Sequence, residues 1–147
     1  MDIEDYVSFE TAILLKEKEF HEETIACYDK NDGELLDIFK DTYNRVEPQD
    51  WNGLTQDECN KIGLGNWYKN YSAPTLQEAI KWIKDTYNYQ ICIILDSYVE
   101  PYNNEYYILI RRYKDKFEEI SPCKQVYFKT FEKAADTAIK YCLENLI

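Results

Sequence analysis

The sequence predicts an α+β fold: a single domain spanning residues 1–147, with helices packed on an antiparallel sheet of four to five strands. Three observations carry that expectation. Three segments place apolar residues at helical spacing behind a Ser or Thr. Apolar runs of strand length fill the spaces between them. Gly and Pro together supply only eight of 147 residues while 45% are hydrophobic, so the chain has a core to bury and no stretch that reads as a linker.

The first helix is expected from about Ser8 to Lys18, with Ser8 as N-cap and Phe9, Ala12, Ile13 and Leu15 on its apolar side. Thr24 to Tyr28 reads as a strand, Asp29-Lys30-Asn31-Asp32-Gly33 as a turn, and Glu34 to Phe39 as the return strand. Residues 41–71 then show little periodicity apart from a short helix near Thr55 to Lys61. They hold three of the four glycines and two of the three tryptophans.

The second long helix starts at Thr75-Leu76-Gln77-Glu78, a capping box, and carries Leu76, Ala79, Ile80, Ile83 and Tyr87 on one stripe. Tyr89 to Leu95 is apolar on both faces and is expected at the centre of the sheet. Glu105 to Arg112 alternates and should pair with it as an antiparallel hairpin through the turn-like Pro101-Tyr102-Asn103-Asn104. Gln125 to Lys129 reads as a short third strand preceded by a turn at Pro122. Thr130 opens the last helix, whose stripe is Phe131, Ala134, Ala135, Ala138, Ile139, Cys142 and Leu146.

Charge narrows the function. The net charge is −11, and residues 1–60 hold 17 acids against 5 bases, while residues 61–147 are nearly balanced. Such a chain lacks the basic face that phosphate neutralisation on nucleic acid or an anionic membrane requires. A basic partner, a small ligand or plain solubility remains. The five cysteines, Cys27, Cys59, Cys92, Cys123 and Cys142, are odd in number and widely spaced, as reduced core cysteines of a cytoplasmic protein are. The acidic start and the lack of a long apolar run predict neither a signal peptide nor a membrane span. The sequon Asn70-Tyr71-Ser72 is therefore read as incidental.

Motifs for specific chemistry are weak. His21 is the single histidine, so no zinc set assembles around it, and it is expected to be a solvated residue after the first helix. Asp29-x-Asn31-x-Gly33 fails as a calcium loop because its twelfth position is Lys40. Gly63-Leu64-Gly65 is only a fragment of a phosphate-binding G-x-G-x-x-G. No cofactor, metal ligand or catalytic residue is expected. The aromatic content is the unusual feature: 14 tyrosines, with Trp51, Trp67, Tyr68 and Tyr71 crowded into the irregular segment. Such residues either pack the long segment onto the sheet or form the anchors of a binding surface.

Tyr6-Val7-Ser8-Phe9-Glu10-Thr11-Ala12 with Leu14-Leu15-Lys16-Glu17-Lys18-Glu19-Phe20, the stretch Tyr71-Ser72-Ala73-Pro74-Thr75-Leu76-Gln77-Glu78-Ala79-x-Lys81-Trp82, and Phe128-x-Thr130-Phe131-Glu132-x-Ala134 resemble a group of small proteins of gut-bacterial genomes. Members of that group often sit in phages and other mobile elements. They often carry a Gly and a Pro-Cys near the positions of Glu19 and Glu23-Thr24, which this chain lacks, and its 41–70 segment is longer than is usual among them. The group has no assigned activity, so the resemblance implies size and setting rather than mechanism. The expected function is a non-enzymatic protein-interaction module, accessory to a phage or mobile element, with an unidentified protein partner. An acidic nucleic-acid mimic is the alternative, and a small-substrate enzyme stands behind both.

Overall fold

The computed structural model describes residues 2–42, 46–96, 105–113, 117–119 and 126–147. The fold is α+β, as expected, and the chain divides into two compact units, residues 1–75 and 76–147.

The first unit begins with a 3-10 turn at Ile3–Asp5 and then helix α1, Phe9–Glu17. Ser8 caps α1 by accepting the Thr11 N–H, and Thr11, Ala12 and Leu15 form its buried face. The helix ends in a Schellman motif. The Phe20 N–H reaches the Leu15 carbonyl and the Glu19 N–H the Lys16 carbonyl, while Leu15 and Phe20 bury completely. The residue that must turn left-handed is Glu19, with φ 61°, where glycine is usual.

Strands β1, Ala26–Tyr28, and β2, Leu35–Asp37, form the expected antiparallel hairpin across the Asp29–Gly33 turn, with Cys27 opposite Leu36. Asp29 shapes that turn by accepting the backbone N–H groups of Asn31 and Asp32. Helix α2, Gln56–Lys61, matches the short helix expected in the irregular segment. Thr55 and Glu58 cap it reciprocally. Gly63, at φ 79°, closes α2 with the Leu64 N–H on the Cys59 carbonyl. The Gly63-Leu64-Gly65 fragment is thus a helix C-cap. Strand β3, Tyr71–Ser72, completes a sheet of order β2-β1-β3 by pairing Ser72 with Cys27 and Tyr71 with Tyr28.

The second unit holds α3, Leu76–Tyr87, then β4, Tyr89–Asp96, β5, Glu105–Tyr113, β6, Phe117–Glu119, and α4, Phe131–Asn145. Asn88, at φ 62°, takes the left-handed position between α3 and β4, which asparagine tolerates. Both long helices lie close to the expected spans. The α3 stripe widens to include Trp82, and α4 buries Leu143 in addition to its alanines, Ile139 and Cys142. Small side chains at Ala134, Ala135 and Ala138 let α4 approach β4 and β5 closely.

Two expectations change here. The single sheet of four to five strands is instead two three-stranded antiparallel sheets, one in each unit. In the second sheet, of order β4-β5-β6, the centre is β5 and not β4. An apolar run reports that a strand's faces are covered, which does not require a neighbour on both edges. The third strand also lies earlier, at 117–119, and from the expected Gln125–Lys129 strand Phe128 contributes a single bridge to Tyr106. The expected turns at Pro101–Asn104 and Pro122 lie outside the described residues.

Two stability measurements follow. Ile110, fully buried at the centre of its sheet, should lose roughly 2–5 kcal/mol on replacement by Ala. Half-buried Ile93 should lose clearly less, and equal urea midpoints for the two variants would contradict this burial order. Glu19→Gly should stabilise the chain by about 0.5–1 kcal/mol by relieving the left-handed non-glycine, and a lower melting temperature would refute the Schellman assignment.

Candidate functional site

The site is built on β1 by the segment that lacks periodicity. Thr24 and Gln49 exchange backbone hydrogen bonds of 2.9 and 3.2 Å, which brings Trp51 over the sheet. Trp51 is fully buried with Cys27 and Ile38, and its indole N–H donates to the Thr24 carbonyl at 3.0 Å. Leu54, Leu64 and Trp67 pack around that cluster, with the Trp51 and Trp67 rings 5.3 Å apart. Asn52 ties the same segment down twice more. Its amide donates to the Phe20 carbonyl at 2.8 Å, and its carbonyl oxygen accepts the Ser72 N–H at 2.9 Å.

Of the four aromatic residues picked out from the sequence, Trp51 is therefore corrected: it is a core residue. An indole with no exposed surface and a satisfied N–H has nothing to offer a partner. Trp67 lies half-buried against it. Tyr68 and Tyr71 are half-buried and face a set of lysines that sequence reasoning missed. The Lys30 ammonium stands 3.9 Å from the Tyr68 ring centre and donates to the Tyr68 carbonyl at 2.8 Å. Lys69 lies 5.9 Å from the same ring, and Lys16 of α1 lies 4.9 Å from the Tyr71 ring. Tyr71 in turn meets Phe9 edge-on at 5.7 Å. Among the described residues, none of these three lysines has a carboxylate within 4.0 Å. Burial, helped by the positive charges of Lys69 and Lys30, holds the Lys16 pKa below the usual lysine value, and Asp50 partly offsets this.

Between the tyrosines, Asn70 is fully buried. Its side-chain oxygen accepts the Lys30 N–H at 3.2 Å and its amide points at the Cys27 sulfur, 3.6 Å away. Asn70 so locks the 29–33 turn, which carries Lys30, to the segment that carries Tyr68 and Tyr71. The sequon asparagine has no surface to bear a glycan in the fold. Lys69 adopts φ 67°, a left-handed conformation within the turn closed by the Asn70 N–H on the Trp67 carbonyl.

His21 is solvated, as expected, and its Nδ1 lies 2.9 Å from Asp50 Oδ2. The other Asp50 oxygen is buried without a hydrogen-bond partner. Gly53 makes room for the pair, since a Cβ there would lie 2.6 Å from Asp50 Oδ2. Cys27, Cys59, Cys92 and Cys142 are free thiols, and Cys123 lies outside the described residues.

Burial pushes the Cys27 and Cys142 thiols from 9.0 up to about 12. Below pH 9 both thiols are neutral in the folded and unfolded chain alike. From about pH 9 to 12 the unfolded chain releases protons that the fold retains, so stability should fall with rising pH across that window. Urea midpoints between pH 8 and 11 test this, and the decline should be shallower in Cys27→Ala. A profile identical to wild type would remove Cys27 from the linkage.

No helix among the described residues is long and apolar enough to cross a membrane. No family model matches the chain, and neither a curated protein nor a solved structure matches it significantly, so what this site can do rests on its own side chains.

Proposed function

We propose that the chain is a non-enzymatic protein-interaction module whose recognition face is the Tyr68–Tyr71 platform with Lys16, Lys30 and Lys69. One observation carries this reading. Two half-exposed tyrosines are held by a fully buried asparagine and flanked by lysines with no carboxylate within ion-pair distance among the described residues, in a chain with 28 acids. Rings fixed before binding lose little conformational freedom when a partner arrives. Tyrosine also presents apolar area and a polar tip together, which suits recognition. Trp51 belongs to the core cluster with Cys27 and Ile38, and half-buried Trp67 packs against it.

A cytoplasmic setting fits the four free thiols, and a phage or mobile-element setting fits the sequence resemblance. The carboxylates of the first 60 residues serve solubility and discourage extended polyanions from approaching.

The test is capture of binding proteins from a gut-bacterial lysate with wild type, Tyr68→Ala and Tyr71→Ala. A protein held by wild type should be retained at least about tenfold less by each variant, the loss of about 1.4 kcal/mol expected for an aromatic contact residue. Thermal midpoints should move little, because both side chains are half-exposed. Retention unchanged in both folded variants would overturn the assignment of this face.

A further inference from the structure

The Lys16, Lys30 and Lys69 cluster points to a ligand chemistry. The same Tyr68 ring receives both Lys30 and Lys69, Tyr71 receives Lys16, and Lys16 lies near enough to the other two to feel their charges. Among the described residues no carboxylate pairs directly with any of the three, and Asp50 acts on Lys16 only from beyond ion-pair distance. Asp29 and Asp32 are engaged with backbone N–H groups of their own turn, and Asp50 faces His21. Lys69 holds its place at a left-handed φ of 67°, a conformation that glycine would adopt without strain.

From this geometry we propose that the three lysines form a binding site for a phosphate monoester. This deepens the interaction reading and rests on the same face. The cluster is built from lysines, compact point charges with rotatable donors, which bind phosphate without a fixed fork geometry. A phosphate monoester carries about −1.5 to −2 charge and three acceptor oxygens, which can satisfy three ammonium groups together. A compact anion also fits the surroundings. Residues 1–75 hold 17 acids and 7 bases, so an extended polyanion meets net repulsion, while a single phosphate feels the local lysines within a screening length of about 8 Å.

The experiment is NMR titration of the full 15N-labelled chain with inorganic phosphate, with a capped Gly-phosphoserine-Gly peptide and with its unphosphorylated twin, against chloride at matched ionic strength. Phosphate and the phosphopeptide should shift the amide signals of Lys30, Tyr68 and Lys69 saturably, and the unphosphorylated peptide should not. Tighter binding of the phosphopeptide assigns the site to a phosphorylated protein. Equal binding assigns it to small phosphorylated molecules. Lys69→Gly should weaken phosphate about tenfold, the low end for one charge-assisted hydrogen bond, while its melting temperature rises because strain is relieved. Lys30→Gln should weaken it to a similar degree.

Shifts no larger than those from chloride, or affinity unchanged in both folded variants, would overturn the proposal. The two readings fail separately. A captured protein lost by Tyr68→Ala, yet indifferent to phosphatase treatment and to the lysine variants, refutes the phosphate site and leaves the interaction face. Saturable phosphate binding with no protein lost by Tyr68→Ala refutes the interaction module and leaves the site.

Discussion

The first unit depends on the burial of one indole. Its sheet is small, with two strands of three residues and one of two, so backbone pairing alone supplies few hydrogen bonds. Trp51 offsets that by covering Cys27 and Ile38 completely and by satisfying its own N–H on the Thr24 carbonyl. The segment from Val46 to Trp67, which has little regular structure of its own, is thereby given a place to pack. Asn52 and Asn70 then fix its two ends with side-chain to backbone hydrogen bonds. The platform formed by Tyr68 and Tyr71 is a consequence of that anchoring.

Charge in this unit is organised at short range. The carboxylates that dominate its composition are used locally: Asp29 and Asp32 shape the hairpin turn, Glu58 closes a capping box, and Asp50 meets His21. Among the described residues, none of these four pairs with a lysine within 4.0 Å. Three lysines are consequently left facing rings in place of acids, and a cation over a ring keeps its charge available while its stem is held. Net charge alone describes the chain as an acidic surface and misses this local inversion.

What could be read in advance follows the range of the interactions. The starts of α1, α3 and α4 are written within a few residues of each cap, and the β1–β2 and β4–β5 pairs in strand-length runs on either side of a turn-like stretch. These were legible. The two residues of β3 are a strand only because Cys27 lies opposite Ser72, and nothing local marks them. The division into two sheets and the edge position of β4 depend on the same distant choices of partner. The site was half legible. Tyr68 and Tyr71 stood out by composition, but Lys16 and Lys30 reach them through the α1 packing and the hairpin turn. Trp51 misled because an aromatic at an anchor and an aromatic in a core carry the same letter.

The buried amide of Asn70 has a bearing on where the chain can be made. An oligosaccharide transferase reads Asn-x-Ser on a chain that is still extended, and Asn70-Tyr71-Ser72 satisfies it. A glycan added there would displace the contacts to Lys30 and Cys27 and occupy a position that has no opening to solvent. Passage through a eukaryotic secretory route would thus set modification against folding at one residue. A bacterial host that lacks that enzyme leaves the asparagine to the fold.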